Sequence, residues 1–444
     1  MNVTRRTFMK RTGALVAAPY VAPASVVGSA GGVAPSQRIT LGFIGVGMMG
    51  RGHLRGLSYY PDAQIVAVCD VDRWRRDDAR RMVEEEYASQ SSRRGHRGCR
   101  AYNDLRELLA RDDIDAVVIA TGDRWHALAT SLAAKAGKDI YCEKPISLTI
   151  REARSMVEVT RRYGRVFQTG LQQRSAPEFI RACQLVRSGA IGKVQFVYVA
   201  FPGTVGDVSL PTEPVPDGLD WDLWLGPSPW RPFNTRFHPY GRPPRVVPWH
   251  FCRDFGGGNL TSNAVHAFDV VQWGLDMDDS GPVEVIPPET GEYPVLTYKY
   301  TNDVLLQVVD WRLDPNKNLV PEGWDLGTRI QNFGALFVGE GGWIHVGRNG
   351  YLKCFPEEIL EQFPDDHRHA VNNHHQDWLS CIKTRERPAC DVAIGCRSTI
   401  VSHLGCIAHW TGRSLKWDPT DEVFPGDDEA NRWIGRPKRP PWRL

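Results

Sequence analysis

A chain of 444 residues exceeds the size at which one hydrophobic core keeps growing, so two domains are expected. Its 54 Lys and Arg against 52 Asp and Glu leave a net charge of +2, which gives no electrostatic reason to bind nucleic acid or an acidic membrane surface. The ten cysteines form no C-x-x-C pairs, so neither a zinc site nor a disulfide framework is signalled.

The N-terminus reads as an address. Thr4-Arg5-Arg6-Thr7-Phe8-Met9-Lys10 pairs two arginines with a downstream apolar residue and a lysine. A small, weakly apolar run follows from Gly13 to Val27, and Gly28-Ser29-Ala30 offers a small-residue cleavage site. The pattern is that of a twin-arginine export signal, with a basic disordered tail or a short anchor as the competing reading. The apolar run holds two prolines and is too short to span a bilayer as a stable helix. Residues 1–30 are therefore left out of the fold. The mature protein is expected to be periplasmic or otherwise exported, with no membrane span.

The fold opens on Ile39-Thr40-Leu41-Gly42-Phe43-Ile44, a short apolar run that reads as a buried strand. The turn Gly45-Val46-Gly47-Met48-Met49-Gly50 follows, then a helical pattern through Leu54 and Leu57, then a second strand, Gln64–Cys69, ending on Asp70. Strand, G-x-G-x-x-G, helix, strand and acid stand at the spacing of a dinucleotide site. Gly45 makes the tight turn, Gly47 admits the pyrophosphate, and Gly50 lets the helix lie close on its strand. The helix N-terminus, with Met48 and Met49, offers amides to the phosphates. Asp70 would bind the adenosine ribose and repel a 2′-phosphate, which favours NAD over NADP. Arg73, Arg75 and Arg76 follow closely and keep NADP open.

Beyond Asp70 the chain keeps alternating. Asp72 to Tyr87 reads as a solvated helix, and a polar, Arg-rich loop through Ser92–Arg97 leads to Tyr102. Asp104 to Leu109 is a short helix, Asp115–Ala120 a strand, Trp125 to Ala136 a helix and Asp139–Cys142 a strand. Ile150 to Tyr163 and Val166–Gln168 add a helix and a strand. This alternation predicts an α/β fold, a Rossmann-type doubly wound parallel sheet, over residues 37–172.

The pattern changes near residue 190. Gln195–Val199 alternates, and a Pro-, Gly- and Trp-rich stretch runs to about Arg253. Strand-like runs at Val295–Tyr300, Val304–Trp311 and Ala335–Val338, with helices at Asn372–Lys383 and Val392–His409, predict an α+β domain over 173–420. Its sheet should be large, open and mainly antiparallel. Residues 421–444 read as a tail, Pro- and Arg-rich from Pro437, lying extended across the surface.

Ligands of an open α/β sheet bind beyond the carboxyl ends of its strands. Three segments reach that edge: Gly45–Gly50, Thr121–His126 and Glu143-Lys144-Pro145. His126 either contacts the nicotinamide or caps its helix. Lys144, at a strand end beside a proline, has no packing purpose, and a nearby positive nicotinamide would lower its pKa. In the second half, Gly256-Gly257-Gly258 precedes what reads as one helix carrying Ser262 and, a turn later, His266. A histidine near neutral pKa is the natural base for an alcohol proton. The alternative is a core histidine satisfied by Asp269. Thirteen of the fifteen tryptophans lie beyond residue 200, and one or two, such as Trp249, suit the faces of a sugar ring.

Taken together, these segments resemble the Gfo/Idh/MocA oxidoreductase family. The likeness rests on Gly45–Gly50, Ile119–His126, Glu143-Lys144-Pro145, Gln168–Arg174, Trp224-Leu225-Gly226-Pro227, the Gly258–Trp273 stretch and the tail through Trp442. The resemblance implies that Lys144 is the active-site lysine and His266 the catalytic histidine. It implies that Thr121, His126 and Glu143 contribute to the cofactor site, and Gln172, Arg174, Ser262 and Trp249 to the carbohydrate site. It also implies a homo-oligomer, dimer or tetramer. Two positions depart from the family. Thr121-Gly122-Asp123 stands where many members have Thr-Pro-Asp, and Ser262 stands where an aspartate is common. Serine can hydrogen-bond a substrate hydroxyl but cannot act as a base.

The expected activity is an exported NAD(P)-dependent oxidation of a sugar, polyol or glycoside. Outside the cytoplasm there is no nicotinamide pool, so the cofactor would be tightly held and restored within each cycle. Two alternatives remain: an NAD-dependent glycoside hydrolase or lyase using transient oxidation, and a non-catalytic sugar-binding protein on the same fold.

Overall fold

The computed structural model describes residues 37–90, 98–203, 205–241, 248–362 and 373–443. The export segment expected at 1–30 and the Arg-rich loop at 92–97 lie outside them.

In the first half, strands and helices alternate: β1 (Ile39–Ile44), α1 (Met48–Ser58), β2 (Ala63–Cys69), α2 (Arg73–Ser89), β3 (Arg100–Tyr102), α3 (Leu105–Leu109), β4 (Ala116–Ile119), α4 (Asp123–Lys135), β5 (Asp139–Cys142), α5 (Ile150–Arg162) and β6 (Phe167–Thr169). The order across the sheet is β3-β2-β1-β4-β5-β6, and every pairing is parallel. β4 and β5 are buried at every residue, which is why they read as unbroken apolar runs. Side-chain caps start α2 and α5: Asp72 accepts from Arg75 N, and Thr149 from Glu152 N while Glu152 accepts from Leu148 N. Chain order reverses between β1 and β4. A crevice therefore opens beyond their carboxyl ends.

The second half contributes α6 (Pro177–Arg187), β7 (Val194–Val199), α7 (Trp221–Leu225), α8 (Asn259–Ser262), α9 (Ala264–Gly274), β8 (Pro282–Ile286), β9 (Thr297–Tyr300), β10 (Leu305–Val308), β11 (Ala335–Gly339), β12 (Gly342–Gly347), β13 (Tyr351–Phe355), α10 (His374–Thr384), α11 (Val392–Thr411) and β14 (Leu415–Lys416). The sheet runs β13-β12-β11-β7-β10-β9-β8-β14 and is antiparallel except between β7 and β10. It is mainly antiparallel, as expected. β3, α6, α7, β8, β12, β13 and β14 had no counterpart in the sequence reading. β10 stops at Val308, short of the expected Trp311, which sits at φ 65 and cannot continue a strand.

Three connections join the halves. α11 is buried around most of its circumference because α9 packs on one side and α5 on the other. α10 returns to the first sheet, where Trp378, Leu379 and Ile382 join Leu41, Phe43, Leu54 and Tyr141 in one core. The Trp-rich stretch forms its own small core around Trp221, Trp224, Phe233, Phe237 and Phe255. It is fastened to the first half by the fully buried Asp72, which accepts from His238 and from Gly241 N. The tail is not wholly superficial. Trp442 is buried edge-on to Trp125, with ring centroids 4.9 Å apart.

Candidate active site

A cavity of about 440 Å³ occupies the crevice beyond β1, β4 and β5. At its nucleotide end the three glycines divide the work as the spacing implied. A Cβ on Gly45 (φ +86) would stand 2.7 Å from the Ala120 carbonyl, and one on Gly50 would stand 2.1 Å from Gly45 O. A Cβ on Gly47 meets only Arg75 Nη1, at 3.9 Å, so this position faces open space. Gly45, Gly47, Met48 and Met49 line the cavity, whereas Gly50 is buried behind them. α1 begins with no side-chain cap and no acid in its first turn, so its amides remain available to an anion.

Asp70 lines the same cavity, held by Val46 N at 2.9 Å and Asp72 N at 3.0 Å. Two of the three arginines that kept NADP open, Arg75 and Arg76, are engaged elsewhere. Arg75 donates to the carbonyls of Gly241 and Pro239, and Arg76 to Asp70 O and Asn103 Oδ1. A carboxylate at the ribose position with its nearest cations committed fits NAD.

The other end is built around Glu143-Lys144-Pro145, with a cis Lys144–Pro145 bond. Lys144 and Glu143 line the cavity with Thr121, Trp249 and Ser262. Lys144 Nζ donates to Ser262 O at 2.6 Å, while Ser262 Oγ donates to Gly258 O at 2.7 Å. Ser262 thus holds the lysine through its backbone, and its hydroxyl caps a turn. Burial lowers the Lys144 pKa against the opposing Glu143 and Asp123 carboxylates. Burial would raise Glu143, but the His53 ring at 2.8 Å, with Lys144 assisting, brings it down to about 2. Gln172 also donates to Glu143, at 3.2 Å, and to the Tyr141 hydroxyl. An ionised Glu143 only accepts, so His53 Nε2 donates to it, and His53 Nδ1 shares a 2.8 Å hydrogen bond with His375 Nε2.

His266 is 4% exposed and lies off the lining of this cavity, set back behind it, and its Nδ1 finds no hydrogen-bond partner among the described residues. Burial lowers its pKa well below the usual value, with Lys144, Arg348 and His374 adding to the effect, so the ring is neutral. Its edge meets the Phe333 ring at 5.3 Å. Asp269 is not its partner. That carboxylate is held by Arg174 and the Ser398 hydroxyl. Nor do Ser262 and His266 share a helix, because the chain breaks at Asn263 between α8 and α9.

Three expected contacts, at His126, Arg174 and Gln172, are not on the cavity lining. Both ring nitrogens of His126 face backbone carbonyls, Pro145 O at 2.8 Å and Thr121 O at 3.2 Å, so the ring braces two loops and is absent from the cavity lining. Arg174 is buried in ion pairs with Asp269 and Asp278, which leaves it no role toward a sugar in this cavity. Gln172 also lies off the cavity lining and acts through Glu143.

The sequence reading missed Asp123, Arg124 and His250, all on the cavity wall. Burial pushes Asp123 up to about 7 against the pull of Lys144 and Arg124. Burial pushes Arg124 down to about 9; its guanidinium lies 3.8 Å from the Trp224 ring centroid and donates to Trp224 O. His250 Nε2 has no partner among the described residues, and burial lowers that ring to about 4. Asp123 and Arg124 stand at the carboxyl end of β4, where position alone could have marked them.

Comparison with known proteins agrees with this geometry. Residues 39–171 match the Gfo/Idh/MocA model described as an oxidoreductase family NAD-binding Rossmann fold. Residues 192–310 and 327–444 match its companion C-terminal alpha/beta domain. Myo-inositol 2-dehydrogenase of Thermotoga maritima is 31% identical over 153 residues, covering 34% of this chain and 42% of that protein. Glycosyl hydrolase family 109 protein 1 of a Shewanella species is 29% identical over 211 residues, 44% of each chain. The chain thus spans less than half the length of these two relatives. Among solved structures, the WlbA dehydrogenase of Bordetella pertussis, in complex with NADH and UDP-GlcNAcA, aligns with a TM-score of 0.56 at 16% identity, covering 86% of this chain and 99% of that one. Aldose-aldose oxidoreductase of Caulobacter crescentus aligns at 0.54 and 16%, covering 85% and 99%. These two likenesses concern the fold.

Proposed function

This chain belongs to the Gfo/Idh/MocA oxidoreductase family, an NAD-binding enzyme family, and from that premise we propose that it oxidises a hydroxyl of a sugar, polyol or glycoside after export by the twin-arginine route. NAD, when bound, supplies the hydride acceptor. Gly45, Gly47, Asp70 and the first amides of α1 hold its nucleotide end. Lys144, fixed by Ser262 O and flanked by the Glu143 and Asp123 carboxylates, orients the substrate oxygen. His266 takes the hydroxyl proton.

The observation that carries this reading is Lys144 together with His266: the lysine lines the cavity, held by Ser262 O, and the buried imidazole set back from the lining keeps an unpartnered nitrogen. A structural histidine would be hydrogen-bonded. Removing such a base lowers turnover by roughly 10²–10⁴-fold.

The family 109 relatives support a second reading, net glycoside cleavage without net redox change. Both readings need a cofactor held between cycles. Acid extraction of the natively exported protein, followed by mass spectrometry, is expected to release about one NAD per chain. An empty site would contradict the closed cycle. Aglycone release from glycosides without added NAD would select the second reading.

A further inference from the structure

Next to His266, the loops after β10 and β12 form a second pocket of about 350 Å³ whose lining includes Arg329, Gln331, Asn332, Phe333 and Arg348. No acidic residue lines it. Phe333 lines it, and two further aromatics pack behind Phe333. Phe201, Trp311 and Phe333 have φ of 78, 65 and 60, a region that bulky side chains rarely enter. They pack on one another, with Phe201 4.7 Å from Trp311 and 4.8 Å from Phe333. Three strained aromatics at one place persist only where surrounding structure demands them, and such strain collects at ligand sites.

The two arginines are laid on these aromatics. Arg348 lies 3.9 Å from the Phe333 ring centroid and Arg329 lies 4.8 Å from that of Trp311. Stacking fixes the plane of each guanidinium and leaves its edge free for an oxyanion. Arg348 makes one contact to a neutral group, Gln173 Oε1 at 3.3 Å. The nearby acids are committed: Glu178 to Gly350 N, Asp325 to Gly327 N and Thr328, and Glu143 to His53 and Gln172. Phe333 joins the two sites, its ring 5.3 Å from that of His266 and its face under Arg348.

We propose that this pocket is the substrate's anion subsite, so that the sugar oxidised beside Lys144 and His266 carries an oxyanion: a uronate carboxylate, or a sulfate or phosphate ester. The inference rests on the oxidoreductase reading and narrows its substrate class. Arg348 with Arg329 takes the charge, and the aromatics beneath them hold the guanidinium planes in place.

The test is calorimetric titration of the full-length, NAD-loaded protein with matched sugars: neutral hexoses, their uronates, their 6-phosphates and their 6-sulfates. One anionic class is expected to bind at least about 10-fold tighter than its neutral parent, with a gap that shrinks in salt. Arg348→Gln should close that gap by roughly 10–100-fold without changing the melting temperature, and Arg329→Gln should close it in part. Arg348→Lys should restore part of the preference by charge but not by shape. Which anionic series responds separates carboxylate from ester. Equal binding of neutral and anionic sugars, or an anion preference that survives in both Gln variants, would overturn the subsite. Reduction of the bound nicotinamide is scored separately. Its absence with every sugar would contradict the oxidoreductase reading, while binding would still decide the subsite.

Discussion

Burial alone would push the Glu143 carboxyl up, and it is the His53 ring that brings it down to about 2. A carboxyl with a depressed folded pKa adds stability that is full above its unfolded value and is lost as pH falls toward the folded one. For Glu143 that window runs from about pH 4.5 down to about 2, and the stabilisation is roughly 3 kcal/mol. His53→Ala should remove most of it, so the acid-unfolding midpoint moves to higher pH and Lys144 loses a fixed counter-charge. Melting temperature against pH measures the first effect, and an unmoved acid limb would contradict the assignment. At this scale the sequence was legible where position alone defines the role, as with Lys144 at a strand end and Asp70 after the second strand. It was not legible for Arg174 and His126. Each carries a side chain suited to a ligand, and each is claimed by partners distant in the chain: Asp269 and Asp278 for Arg174, Pro145 O for His126.

The turn between β1 and α1 shows how an element makes a site. Gly50 is not in the cavity, yet a methyl there would collide with Gly45 O and force α1 away from β1. Gly50→Ala is expected to weaken NAD retention by at least about 10-fold and to lower the melting temperature by several degrees. Retention of NAD on gel filtration tests this; an unaffected variant would mean that α1 does not set the phosphate site. The inner strands of the parallel sheet were legible because burial on both faces makes them continuous apolar runs, whereas the edge strand β3, with no buried residue, read as loop. α6 was not, although its buried face of Phe179, Ile180, Cys183 and Val186 has helical spacing. The break at Asn263 left no mark in sequence either, because the residues on both sides of it keep a helical pattern.

Across the whole molecule the chain order does not follow the two sheets. α10 crosses back to complete the core of the first sheet, and the tail crosses to Trp125 on α4. Lys438 pairs with Glu152, and Arg439 N donates to Pro227 O, so the tail bridges α5 and the Trp-rich stretch that roofs the cavity. Trp442→Ala is expected to destabilise the protein by about 3 kcal/mol, read by chemical denaturation. A change below about 0.5 kcal/mol would return Trp442 to the superficial tail that its Pro- and Arg-rich neighbours suggest. The fold class was legible from periodicity and spacing. The tail's anchorage was not, because a single buried tryptophan in a polar segment has no pattern.

The most direct test of the account is a single-turnover measurement on protein purified with its own nucleotide. Sugars are added without external NAD, and the near-ultraviolet absorbance of reduced nicotinamide is followed in the wild type and in His266→Ala. The account predicts reduction of the bound cofactor in the wild type and loss of that reduction in His266→Ala, with the nucleotide still bound in both. Reduction that persists undiminished in His266→Ala, or a wild-type protein that carries nucleotide and reduces it with no sugar, polyol or glycoside, would contradict it.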